Sequence, residues 1–256
     1  MGERAVPGRS IQQCVARRHR RSGWRSPAKT RAKPKVRHTA RRFELLVFDW
    51  DGTLMDSAAA ITESLQAACR DLDLPVPSEE RARYVIGLGL NDAMSHILPG
   101  LAPARHQEVV ARYRVHFLKH DPDTGLFPGA AETVAGLHEA GFLLAVATGK
   151  SRRGLERALA ATGLKPYFHA TRCADEGHSK PHPGMLLGLM EELGVVSDRT
   201  LMIGDTTHDL EMARAAGVAS LGAAYGAHAR EALLEHGPLA CVEDIGSLRA
   251  WLLHHA

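Results

Sequence analysis

Cysteine is sparse in this chain and shows no paired spacing. Cys14, Cys69, Cys173 and Cys241 are scattered over 256 positions. That excludes a disulfide framework and a Cys/His zinc cluster, and it fits a reducing compartment, here expected to be the cytoplasm. Long apolar runs are also missing. The longest, Phe142 to Ala147, falls far short of the roughly 20 residues that a membrane-spanning helix requires. No membrane partner is therefore expected, and the N-terminal region lacks the apolar core of a secretory signal peptide. Acid is nearly absent from residues 1–42, where Glu3 stands against fourteen Lys and Arg.

That local deficit hides inside an ordinary total. The formal net charge is +3, yet residues 43–256 hold 18 basic and 28 acidic side chains, a net of −10. The basic stretch 1–42 has no hydrophobic periodicity and is broken by Pro7, Pro27 and Pro34, so it is expected to be disordered in isolation. Three readings compete for it. It could be an arm for nucleic acid or a membrane surface, since phosphate contacts need only Lys and Arg. It could be an organelle transit segment, being Arg-rich and acid-poor. It could also be an extension without a role, added by an upstream start codon, and this last reading is preferred. Nucleic acid is expected as a partner only through this tail.

The chain as a whole has the composition of a soluble globular protein, with 45% hydrophobic and 24% charged residues, and length for one large or two modest domains. It is organised around the stretch from Phe43 to Ser57. The apolar run Leu45 to Phe48 reads as a buried strand that stops at two carboxylates, Asp49 and Asp51. Strand alternation aims residues two apart into one space. Two like charges held there are costly unless a cation or a shared proton offsets them. Trp50 between them points the other way, toward the core or the cap. Gly52 permits a change of direction, and Ser57 is placed to cap a helix starting in Ala58-Ala59-Ala60.

Between about Asp56 and Phe127 no clear strand appears. Helical spacing recurs instead over residues 57–74, from Ser78, from an Asn91 cap, and over 103–120. Further strands are expected at Phe142–Thr148, Phe168–Cys173, Thr200–Ile203, Val218–Leu221 and Leu239–Val242, alternating with helices. This pattern predicts an α/β fold, a doubly wound parallel sheet, formed by residues 43–57 and 127–256, with a small all-helical domain at 58–126. Ligands of such sheets sit beyond the carboxyl ends of the strands. Asp49, Thr148 and Asp205 each occupy that place on a separate strand.

Four stretches therefore converge: Asp49-x-Asp51-Gly52-Thr53, Thr148-Gly149, Lys180-Pro181, and Gly204-Asp205 followed by Asp209. The carboxylates suit a hard cation with oxygen ligands, Mg²⁺ above all. A hydroxyl, a lysine and backbone amides at strand–helix turns suit a phosphate. Together they point to phosphoryl transfer. Around them, Thr53 fits a loop contact as well as a phosphate contact. Lys150 and the Ser151-Arg152-Arg153 run read as a solvated helix start, with a basic group there able to meet a substrate anion. His182 and His208 read as surface or loop histidines.

These four segments, in this order, resemble the haloacid dehalogenase superfamily of aspartyl-nucleophile phosphohydrolases. The resemblance covers residues 43–256. Asp-x-Asp-Gly-Thr-Leu-x-Asp-Ser at 49–57, followed by Gly204-Asp205-x-x-x-Asp209, is highly specific. The insertion after the first strand resembles the helical cap of the branch that includes phosphoglycolate phosphatase and beta-phosphoglucomutase. The resemblance implies a Rossmann-like core in which Asp49 is the nucleophile and Asp51 the general acid and base. Thr148, Gly149 and Lys180 would hold the phosphoryl group. Mg²⁺ would be bound by Asp49, Asp205, Asp209 and the carbonyl of Asp51. Asp51 also disfavours the halide-removing branch, which lacks it. The implied activity is Mg²⁺-dependent hydrolysis of a small phosphorylated metabolite, 2-phosphoglycolate first, by a monomer or homodimer. A phosphosugar mutase is the alternative, although the uncharged Ile86–Leu90 stretch lacks the basic residue some relatives use. A nucleic-acid-associated protein acting through the tail is the alternative of another class.

Overall fold

The computed structural model describes residues 2, 41–120 and 124–256. The apolar runs become six strands: β1 (Leu45–Phe48), β2 (Leu143–Thr148), β3 (Ala170–Cys173), β4 (Thr200–Gly204), β5 (Ala219–Ala223) and β6 (Cys241–Val242). All pair in parallel, in the order β3-β2-β1-β4-β5-β6. Helices on both faces explain why β1 is apolar at every position. Leu46 and Phe48 pack with Val134 and Leu137 of α5 (Ala130–Glu139), Leu155 of α6 (Arg152–Thr162) and Leu248 of α10 (Ile245–His255). Leu45 and Val47 face the opposite layer, meeting Leu186 and Leu189 of α7 (Gly184–Leu193) and Met212 of α8 (Thr207–Ala215). Each fully buried side chain of this kind contributes about 1.5–3 kcal/mol.

The strand order creates a switch point. β1 pairs with β4 on one side and β2 on the other, with Phe48 level with Ile203 and with Val146. The chain winds outward in opposite directions from this pair, leaving a crevice beyond their carboxyl ends. Asp49 and Asp205 lie there, one residue past the ends of β1 and β4.

Four helices follow β1: α1 (Ala58–Asp71), α2 (Glu79–Tyr84), α3 (Leu90–Ile97) and α4 (Pro103–His120). They bury an apolar cluster of their own, with Leu65, Met94, Val109 and Phe117 inside. The chain leaves and re-enters the sheet layer side by side: the Asp56 amide donates to the Gly125 carbonyl, and the Phe127 amide to that of Leu54, each at 2.9 Å.

Several local expectations change. Gly89, not Asn91, precedes α3. Ser57 precedes α1 but makes no capping hydrogen bond, because its hydroxyl is turned to Asp51. A short helix, α9 (Arg230–Glu235), carries no strong signal in the sequence, and β6 is only two residues long. Arg41, assigned to the basic extension, lays its guanidinium 4.3 Å over the Phe142 ring and donates to the Ala140 carbonyl. The competing readings of residues 1–42 otherwise lie outside the described residues. Among those residues no helix is long and apolar enough to cross a membrane.

Candidate active site

Asp49 is reached straight from β1, its amide bonded to the Ile203 carbonyl at 2.9 Å, and its side chain is fully buried. Lys180 arrives from the loop before α7 and is also buried. Its ammonium stands 2.7 Å from Asp49 Oδ1 and 2.6 Å from Asp209 Oδ1. Asp209 lies in the first turn of α8, where Thr206 and Asp209 cap each other: Asp209 Oδ2 accepts from the Thr206 amide at 3.1 Å and its hydroxyl at 2.7 Å. Asp205 accepts from Thr53 Oγ1 and from the Ala227 amide, each at 2.7 Å. Gly52 makes this approach possible. It has φ +81°, and a Cβ there would lie 2.1 Å from Asp205 Oδ2.

Carboxylate oxygens of Asp49, Asp205 and Asp209 all fall within 4.8 Å of one another. One ammonium cannot balance three buried carboxylates. Burial pushes the Asp49 carboxyl well above its usual range; Lys180 opposes this and Asp209 and Asp205 reinforce it. Burial, then the Asp209 charge, pushes Asp205 up to about 7, against the bonds from Ala227 and Thr53. Burial acts to lower the Lys180 ammonium, but Asp209 and Asp49 outweigh it and raise it. Asp49 Oδ2 has no hydrogen-bond partner among the described residues. An all-oxygen donor set with surplus negative charge and an unpartnered buried oxygen fits a hard divalent cation such as Mg²⁺.

Asp51 is brought to the same crevice but not into the carboxylate cluster. Its Oδ1 accepts from Ser57 Oγ at 2.6 Å and is 2.9 Å from Lys150 Nζ. Thr148 is buried at the end of β2, and its hydroxyl accepts from the Lys150 amide at 3.2 Å. At Gly149 the insertion presses on the sheet layer: a Cβ there would sit 2.5 Å from the Gly87 carbonyl and 2.6 Å from that of Leu88.

The structure corrects two sequence expectations here. Lys150 is no solvated helix start; it is largely buried against Asp51 and 4.9 Å from the Phe117 ring centroid. His208 is no surface histidine. It is buried, and its Nε2 donates to the Tyr84 carbonyl at 2.7 Å, which also accepts from His228 Nε2 at 3.1 Å. Arg83 donates to the Gly226 and Ala227 carbonyls at 3.1 and 3.3 Å. The insertion is thus tied to the loop that holds Asp205. His182 is exposed, as expected, and Trp50 is buried in the core.

The profile of haloacid dehalogenase-like hydrolases matches residues 46–223 of the chain. The chain belongs to this family. Among relatives, the Probable phosphatase IndB of Dickeya dadantii is 38% identical over 212 residues, spanning 80% of this chain and 91% of that protein. The Phosphoglycolate phosphatase of Escherichia coli strain K12 is 30% identical over 226 residues, 79% of this chain and 90% of its own. Among solved structures, a predicted phosphatase from Clostridium acetobutylicum superposes with a TM-score of 0.74 at 27% identity, covering 82% of this chain and 98% of that one. A hydrolase from Pseudomonas syringae gives 0.76 at 22% identity, covering 83% and 99%, and shows the shared fold. Within this haloacid dehalogenase-like chain, sequence reasoning gave Lys150, Ser57 and His208 other roles and passed over His228. Six positions separate Ser57 from Asp51, and only the turn at Gly52 folds them together.

Proposed function

We propose that this chain is a Mg²⁺-dependent phosphatase that hydrolyses a small phosphate monoester through an aspartyl-phosphate on Asp49. The observation that carries this reading is the unpartnered Asp49 Oδ2, set among buried carboxylates and Lys180 at the switch point of the sheet. Asp49, Asp205 and Asp209, with the Asp51 carbonyl, would hold the metal. When bound, Mg²⁺ offsets the charge of these carboxylates and of the phosphoryl group.

The chain's own residues then divide the work. Asp49 attacks phosphorus and the ester P–O bond breaks. Asp51 gives its proton to the leaving oxygen, and the alcohol departs. Water attacks the phosphorus of the acyl phosphate, Asp51 takes its proton, and the bond to Asp49 breaks to release inorganic phosphate. Ser57 and Lys150 both engage Oδ1 of Asp51, which fixes the carboxyl and leaves Oδ2 to move the proton. Lys180 holds Asp49 in place, and Thr148, Gly149 and Lys180 receive the phosphoryl oxygens. The helical insertion serves as a cap that excludes water.

The names of the 30% identical relatives make 2-phosphoglycolate the reference substrate. The free thiols of Cys69, Cys173 and Cys241 support a reducing compartment, the cytoplasm. The test is phosphate release from a panel of monoesters. Wild type with Mg²⁺ should release phosphate, while Asp49→Asn and the chelated wild type should not. Near-normal turnover in Asp49→Asn would sink the nucleophile assignment.

A further inference from the structure

A cavity of about 350 Å³ lies between the insertion and the sheet layer. Asp51, Gly149 and Lys150 line it, whereas Asp49 does not. Asp51 is the residue that serves the leaving oxygen, so the cavity is where the alcohol part of the ester resides. Most of its remaining wall is apolar, with Leu65, Ile86, Tyr113 and Phe117 contributed by the insertion. Arg114 of α4 and Arg153 of α6 line it from opposite sides, exposed and without an ion pair among the described residues. Lys150 is already committed to Asp51, and the Asp175 carboxylate to the Arg152 amide at 2.8 Å.

Size and chemistry together narrow the substrate. At about 30 Å³ per water-sized unit, the cavity accommodates roughly a dozen non-hydrogen atoms. A glycolate group, with about five, would leave more than half of it unfilled and offer the apolar wall nothing to bury. The arginines, in turn, have no role toward a purely apolar alcohol. Resting on the phosphatase reading above, we propose that the substrate is a phosphate monoester whose alcohol has an apolar, ring-sized body ending in a second anionic group. The body fills the space between Phe117 and Leu65, and Arg114 and Arg153 meet the anion.

Three esters of similar alkyl leaving groups test this: benzyl phosphate, 4-carboxybenzyl phosphate and 2-phosphoglycolate, each read as kcat/KM for phosphate release at fixed Mg²⁺. The expected order places 4-carboxybenzyl phosphate about fivefold above benzyl phosphate, the range of an exposed charge pair. It should exceed 2-phosphoglycolate by roughly 10–100-fold, the range for burying one large apolar group. In Arg153→Gln and Arg114→Gln the carboxybenzyl-to-benzyl ratio should fall toward one. A wild type that prefers 2-phosphoglycolate, or that does not separate the two benzyl esters, overturns the substrate class while leaving the phosphatase reading intact. Phosphate release no greater than that of Asp49→Asn on all three esters overturns both.

Discussion

Replacing Lys180 by methionine would keep the length and apolar stem of the side chain and remove its charge. The ammonium now stands 2.7 Å from Asp49 and 2.6 Å from Asp209, with all three side chains almost wholly buried. Without it, and without metal, three carboxylates share one dry space. Burial already raises Asp49 and Asp205 with Lys180 in place; without it, one further carboxyl that is ionised in the unfolded chain must be protonated in the folded protein. Neutralising one carboxyl at pH 7, against an unfolded value near 3.9, costs about 4 kcal/mol. That agrees with the roughly 3–5 kcal/mol lost when one partner of a buried ion pair is removed. In a chain of this size it corresponds to a melting temperature lower by roughly 8–16 °C. The sign with pH follows from the direction of the shift. A carboxyl raised in the folded state contributes fully below its unfolded pKa and loses that contribution as pH rises. The deficit of Lys180→Met relative to wild type should therefore grow from pH 5 to pH 8. Thermal denaturation of both proteins in chelator, across that range, measures it. A gap within about 3 °C that does not change with pH would refute the claim that Lys180 balances a buried carboxylate cluster.

Two further changes probe the contact between insertion and sheet. Gly149→Ala would place a Cβ 2.5 Å from the Gly87 carbonyl and 2.6 Å from that of Leu88, and backbone cannot give way cheaply. The insertion should be held off the site, lowering kcat/KM by about tenfold or more through misplacement, while circular dichroism stays native; unchanged kinetics would show that the contact is dispensable. His228 accepts from the Thr207 amide through Nδ1 and donates to Tyr84 through Nε2, so a second proton has nowhere to go. Burial, then His208, pushes its pKa down to about 4. Between 6.5 and 4 the unfolded chain binds a proton that the folded one refuses, so stability falls as pH drops through that window. By pH 5 this amounts to about 2 kcal/mol. Denaturant titrations at pH 7 and pH 5 should show wild type losing that much more than His228→Gln; equal losses would contradict the assignment.

The placement of Asp49, Thr148 and Asp205 at strand ends is legible in the sequence because it is local. An apolar run that stops at Asp49, Thr148 or Asp205 states both the strand and where its ligand face begins. What is not local is not legible. That β4, not β3, lies beside β1 depends on parallel pairings between segments far apart in the chain, which no window of residues contains. Lys150 and His208 follow strand ends and open helices, where polar residues ordinarily face water. They are buried only because a separate layer of helices covers them, through Phe117 and Tyr84. Ser57 has the identity of a helix cap and sits where one belongs, yet its hydroxyl is turned to donate to the Asp51 carboxylate and does not accept from the helix amides. Small helices such as α9 and a two-residue edge strand carry too few residues for a period to show.

Transfer of the phosphoryl group to Asp49, as proposed, can be read directly. Asp51→Asn removes the residue proposed to activate water, and 4-nitrophenyl phosphate supplies a leaving group that needs no acid. Rapid mixing of that variant with this ester and Mg²⁺, followed by peptide mass mapping, reads the intermediate directly. The expected result is a stoichiometric burst of nitrophenolate and the added mass of one phosphoryl group on the peptide containing Asp49. A burst without that mass, or with the mass on any other residue, would contradict it.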